Sequence, residues 1–288
     1  MADSTGRGRQ RPKPGAAALP DISSANGYKS KEWGGMFWRI YHHWSRELSR
    51  RRCDTGPLLF LLYSPAFMLP CLYCRQSYLS FASAPDRDVA KYLCPAPSPQ
   101  RGTTGYNWLL ERPLLRAGHG VEPPQADRVD SWLEVIHDCV NRKLGKPKAT
   151  EAERARLYSE DWRPWFWDWL FVFALNFPLH VGRDVRLHDR DVSRRYRTYV
   201  LFFESLKDLI PDGTLRQAWT RVYLRHPPSA ATFASRTSLV KWLYGIYQLV
   251  CQPWKPSSER FESLATVVAR YEVLRASSCT DAKAQTCA

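Results

Sequence analysis

The chain has 288 residues, 44% of them hydrophobic and 13% aromatic, enough apolar material for one large core or two small ones and too much for a globally disordered polymer. Its net charge of +14 directs attention to acidic surfaces and nucleic acid, but the sequence has no zinc-finger spacing, RNP-type aromatic motif or basic zipper. A solvated, arginine-rich surface with no specific nucleic-acid partner is the simpler expectation, and eight cysteines fit neither a disulfide-dense mini-scaffold nor a zinc array.

Residues 1–27, MADSTGRGRQRPKPGAAALPDISSANG, are rich in Gly, Pro, Arg and Ser and have no apolar periodicity, so they read as a disordered basic arm. They contain no apolar h-region, and no secretory signal is expected. Apolar spacing then predicts helices over 31–49, 56–66, 71–83, 128–143, 161–177, 192–209, 214–224, 235–250 and 257–275. Strand-like alternation is nearly absent, so the fold class is all-α. The stretch 84–127, with CPAPSPQRGTTG and AGHGVEPPQ, reads as a long inserted loop with one helical turn near Tyr106–Leu110. The most apolar run, FWDWLFVFALNFPL at 166–179, is too short for a membrane span of about 20 residues and carries a charge. It predicts a core helix in a soluble protein without membrane insertion.

The chain also repeats itself. EWGGMFWRIYHHW (32–44) lies over DWRPWFWDWLFVF (161–173), pairing Trp33 with Trp162, Phe37 with Phe166 and Trp38 with Trp167. FMLPCLYCRQSY matches KDLIPDGTLRQAW in outline, Pro70 over Pro211, and SWLEVIHDCV (131–140) lies over KWLYGIYQLV (241–250), Trp132 on Trp242. Three blocks in one order predict a diverged tandem duplication. The second copy keeps the apolar skeleton and loses the polar groups. Asp212 and Leu215 replace Cys71 and Cys74, Phe171 replaces His42, Tyr247 replaces His137, and Cys251 replaces Asn141.

Cys71 and Cys74 alone have motif spacing, in LPCLYCRQSY, and three readings of them compete. A zinc half-site needs two further ligands, and there is no second CxxC. Buried core thiols would be inert. A redox pair suits a proline-led turn into a helix, whose N-terminus stabilises a thiolate and whose small disulfide ring exchanges with an incoming thiol. No strand precedes the pair, so a thioredoxin-like βαβ setting is not expected. In SWLEVIHDCVNRKLGKP (131–147), Trp132, Ile136, Val140 and Leu144 form one helical face, with His137, Asn141 and Lys143 on an adjacent stripe and Gly145–Lys146–Pro147 as the stop.

Taken together these segments resemble the Erv/ALR family of FAD-linked sulfhydryl oxidases. VDSWLEVIHDCVNRKLGKP is similar to that family's FAD-binding helix, WGGMFWRIYHHWS (33–45) to its first helix, and LPCLYCRQSY to its P-C-x-x-C centre, all in family order over about residues 30–165. The resemblance implies a helical bundle (four helices and a short fifth) holding FAD at its mouth. Cys74 would lie beside the isoalloxazine as the charge-transfer thiolate, and Cys71 would be the outer cysteine that exchanges with the donor. Gly34 would permit close approach of the cofactor. Trp38, His42, His137, Asn141 and Lys143 would contact it, as would Asp138 in place of the usual Asn, and Trp162 near the adenine. Electrons would pass from protein thiols through the pair to FAD and on to O2, giving H2O2.

The implied organisation is a basic arm (1–28), an oxidase domain (29–160), a degenerate helical domain (161–275) and a cysteine-bearing tail (276–288). An intact copy followed by a degenerate one resembles the oxidases of large DNA viruses, which implies a viral protein of the virion or host cytoplasm that acts on virion proteins. The family's dimerisation through the FAD-bearing bundle implies a homodimer, unless the second copy takes that face. The family's structural disulfide is missing, since Glu134 and the KAT stretch at 148–150 occupy its places. Cys279 and Cys287 would correspond to the shuttle pair that family members carry on such a tail. The competing readings are a non-enzymatic helical scaffold that binds partners through its basic surface, and a zinc-binding module that uses Cys71 and Cys74.

Overall fold

The computed structural model describes residues 19–22, 24, 26–51, 55–88, 126–179 and 190–276. The fold is an all-α helical bundle, and among these residues no strand forms beyond one isolated bridge between Tyr28 and Arg275. The described residues of the first half form α1 (Ser30–Arg50), α2 and α3 (Thr55–Tyr63 and Pro65–Met68), α4 (Leu72–Ala82), α5 (Ala126–Lys143) and α6 (Glu151–Ser159). The second half repeats the order in α7 (Phe166–Leu175), α8 (Arg190–Leu209), α9 (Gly213–Arg225), α10 (Arg236–Cys251) and α11 (Leu264–Glu272). The expected turn near Tyr106–Leu110 lies outside the described residues, as do Cys53, Cys94, Cys279 and Cys287.

Three elements differ from the periodicity reading. The predicted helix 56–66 is two helices, because Pro65 has no N–H to continue the ladder and instead opens α3 at its first turn. Helix α6 was absent from the prediction because EAERARLYS has no apolar stripe; what starts it is the capping box of Thr150 and Glu153, whose side chains satisfy each other's backbone N–H groups. The predicted helix 257–275 begins only at Leu264, where the Ser263 hydroxyl accepts the Thr266 N–H.

The helices pack around one continuous core that includes residues of both halves. Trp44 of α1 meets Trp169 of α7 edge to face with ring centroids 5.2 Å apart, and both indoles are fully buried. Corresponding hydrogen bonds recur in the two halves. The Arg75 guanidinium donates to the Leu69 carbonyl at 2.9 Å, and Arg216 donates to Ile210 at 3.0 Å. The Trp132 indole donates to the Arg87 carbonyl just beyond α4, and Trp242 donates to His226 just beyond α9. Among the described residues no helix is long and apolar enough to cross a membrane.

Candidate functional site

The site forms where α1, α4 and α5 converge on the start of α4. Leu69 and Pro70 leave α3 in an extended turn, and Cys71 takes the N-cap of α4, its sulfur accepting the Cys74 N–H at 3.3 Å. An N-cap acceptor offsets the unpaired donors of the first helical turn, and the aligned peptide dipoles favour negative charge there. The Cys74 thiol is pushed far above the ordinary cysteine range, first by its hydrogen bond to Cys71 and then by burial, with Lys143 and Arg75 opposing. In the dithiol form seen here, the hydrogen bond to Cys71 and burial favour the protonated form of Cys74.

A cavity of about 410 Å³ opens beside the pair, and Cys74, Gly34, Trp38, His137, Asn141 and Lys143 all line it. Its size suits an organic cofactor. A Cβ added to Gly34 would meet no atom within 4 Å, so glycine leaves this wall open. The helix face of Trp132, Ile136 and Val140 packs inward and turns the His137 and Asn141 stripe toward α1. Gly145 then stops α5 at φ 67°, with the Lys146 N–H donating to the Asn141 carbonyl at 2.8 Å, the αL cap that a glycine there permits. Lys31, Arg39 and Lys146 join Lys143 on the lining, and among the described residues no carboxylate lines the cavity. Arg39 is paired with Glu160 and Lys31 lies 3.9 Å from Glu32, so among the described residues Lys143 and Lys146 are the lining cations left for an anionic ligand.

The two histidines are neutral. His137 stacks on Trp38 and is pushed down to about 4, chiefly by burial. His42, fully buried behind them, is held well below the ordinary histidine range, first by burial and then by His137 and Arg46. Its Nδ1 lies 3.0 Å from the Tyr158 hydroxyl, while its Nε2 is buried with no hydrogen-bond partner. A buried ring nitrogen left unpaired costs about 1–3 kcal/mol.

Three residues of the expected cofactor set lie off the cavity lining, the first being His42, which is fully buried behind His137. Asp138 accepts the Ala149 N–H at 3.4 Å and pairs with Lys148, bracing the α5–α6 connection outside the cavity lining. Trp162 is buried against Trp44 and Phe166 and borders a separate cavity of about 350 Å³ with His43 and Asp212. Tyr158, Lys31, Arg39 and Lys146 were not among the residues expected from sequence. Arg39, within WGGMFWRIYHHWS, and Lys146, within LGKP, stand in recognised motifs, and Tyr158 and Lys31 do not. The expected outer cysteine, Cys71, is 0% exposed, and Cys74 is the more accessible of the two. The reason is the chain before α1. Gly27 lies against Pro70 and Cys71, and the Tyr28 N–H donates to the Pro70 carbonyl at 2.7 Å.

Where the resemblance would place a disulfide, Arg154 pairs with Glu134 at 3.6 Å and links α6 to α5. In the second half the place of the cavity is filled by rings. Tyr247, at the position of His137, packs 5.0 Å from Trp167 and 5.4 Å from Phe261. Asp212, at the position of Cys71, caps α9 by accepting the Leu215 N–H at 2.8 Å. The helix start survives there without its sulfur. Among the described residues no group of three or more His, Cys, Asp or Glu side chains is placed to hold a metal ion. No family model, curated protein or solved structure matches the chain.

Proposed function

We propose that this protein is an FAD-dependent sulfhydryl oxidase that makes disulfides in protein thiols. The observation that carries the reading is that Cys74 shares one positively lined cavity with Gly34, Trp38, His137, Asn141 and Lys143, a set recognised independently from sequence. The residues fit the group. Trp38 and His137 offer flat ring surfaces, Asn141 an amide, and Lys143 and Lys146 a counter-charge for a diphosphate.

When bound, FAD accepts an electron pair and passes it to O2, giving H2O2. The chain handles the thiols. A donor thiolate attacks Cys71 of the Cys71–Cys74 disulfide; a donor–Cys71 bond forms, and the Cys71–Cys74 bond breaks with its electron pair leaving on Cys74. A second donor thiolate then attacks the mixed disulfide, which releases the oxidised donor and the Cys71 thiolate. Lys143 and Arg75 both favour the anionic form of Cys74 electrostatically. Buried, neutral His137 lines the cavity without adding fixed charge to that step.

The visible spectrum of the purified protein tests this reading. Oxidised-flavin absorbance near ~450 nm, with one flavin per chain and H2O2 produced from dithiothreitol, is the expected result. A protein that stays colourless with added FAD overturns it and returns the helical-scaffold reading.

A further inference from the structure

Cys71 is fully buried, and residues that belong to neither α4 nor the cavity lie against its backbone. Residues 26–28 cross its backbone, and a Cβ at Gly27 would collide with the Pro70 carbonyl oxygen and come within 3.1 Å of the Cys71 Cα. Only glycine allows this segment to lie so close. The strap is pinned by the opposite end of the chain. The Ala276 N–H donates to the Gly27 carbonyl at 2.9 Å, and the Lys29 N–H donates to Leu274 at 3.1 Å. Arg275, whose side chain is 7% exposed, donates to the Asn26 carbonyl at 2.7 Å and to the Tyr28 hydroxyl at 3.0 Å. Glu272 completes the clasp by accepting from Tyr28 at 2.9 Å and pairing with Arg275. Further upstream, buried Arg236 donates to the carbonyls of Ile22 and Ser24. Arg236, Glu272 and Arg275 all lie in the second half.

We infer that Gly27 and Tyr28, latched by Arg275, decide which thiols reach Cys71, so that the half without redox cysteines controls access to the half that has them. The inference rests on the sulfhydryl-oxidase reading for its purpose, but not for its geometry. A closed strap excludes a thiol from the Cys71 sulfur. Access requires local opening of residues 26–28, and the rate of any reaction at Cys71 then scales with the open fraction. The donor favoured by such a device is a polypeptide able to displace the strap, in preference to a small free thiol.

The test is alkylation of the full-length, reduced protein by N-ethylmaleimide, followed by peptide mass spectrometry. A Cys74→Ala background leaves Cys71 as the only reactive member of the pair, and the measurement needs no flavin. Two variants open the strap by different routes. Gly27→Ala forces it off Pro70, and Arg275→Ala releases the latch. Each is expected to raise alkylation at Cys71 by about tenfold or more, as removal of a closing contact does for a locally opening segment, while half-buried Cys251 reacts at its original rate. The proposal is overturned if Cys71 reacts no faster in either variant. It is equally overturned if Cys251 accelerates by the same factor, because the whole fold has then loosened. Neither result bears on whether the cavity takes FAD, which the spectrum decides separately.

Discussion

The imidazole of His137 lies flat on the indole of Trp38, ring centroids 3.9 Å apart and planes 10° from parallel. The stack joins α1 to α5 across the floor of the cavity and sets the ring face offered to a ligand. Replacing Trp38 by Ala removes a nearly buried indole and is expected to cost about 3–5 kcal/mol, which confuses binding with folding. Trp38→Phe keeps an aromatic face. Titration of the apoprotein with FAD should show up to about tenfold weaker binding for Trp38→Phe, in line with the worth of an aromatic contact beyond its buried area. Unchanged affinity would remove Trp38 from the cofactor site.

The equivalent helix starts of the two halves should separate chemistry from capping. Cys71→Ala and Cys74→Ala are each expected to abolish dithiothreitol oxidation while flavin absorbance persists. Asp212→Ala removes the cap of α9 and a partly exposed ion pair with Arg163, at about 1 kcal/mol for the cap and little for the exposed pair. Denaturant melts should register that loss, with turnover per bound flavin unchanged.

Histidine burial makes stability depend on acid. Both His42 and His137 have depressed pKa values in the fold, so between 6.5 and about 4 for His137 the unfolded chain binds more protons than the native one. Stability from these residues is fully present above pH 6.5 and is lost as the pH falls toward 4. For His137 the loss amounts to at most about 3 kcal/mol. Thermal melts across this window should flatten in His137→Asn. A variant with the wild-type slope would assign the acid sensitivity elsewhere.

Tyr158 holds His42 from behind, with its hydroxyl 3.0 Å from Nδ1 and the Arg46 guanidinium stacked on its ring. Tyr158→Phe leaves that ring nitrogen buried without its partner and should cost about 1–3 kcal/mol, read as a shift in the urea midpoint at constant slope. The ion pair of Arg154 with Glu134 is partly exposed. Glu134→Ala should therefore change stability by no more than about 1 kcal/mol, a much smaller effect than loss of a disulfide in the same place.

Much of this molecule was legible in its sequence, because helical periodicity and short motifs are local. The spacing of Trp132, Ile136 and Val140 determined which face of α5 turns inward, and with it where His137 and Asn141 stand. Pro70 and Cys71 marked a helix start, and Gly145 marked a stop. The paired blocks around Trp33 and Trp162 anticipated two series of helices in the same order. Helix α6 escaped because polar residues surround it, leaving only a capping box as a signal. Asp138 and Trp162 illustrate the limit of carrying roles over by motif: each stands at the expected register, but local packing directs Asp138 to the α5–α6 connection and Trp162 into the core beside Trp44.

What the sequence by itself determined is the all-α class, the cysteine pair at a helix start and most of the polar stripe around it. Only the tertiary structure decided that Cys71 is closed and Cys74 open to the cavity, because that depends on Gly27 meeting Arg275 and Ala276 from the far end of the chain. Contacts between residues so distant in sequence leave no periodicity to read. They arise when burial of a shared core brings the two ends of the chain together.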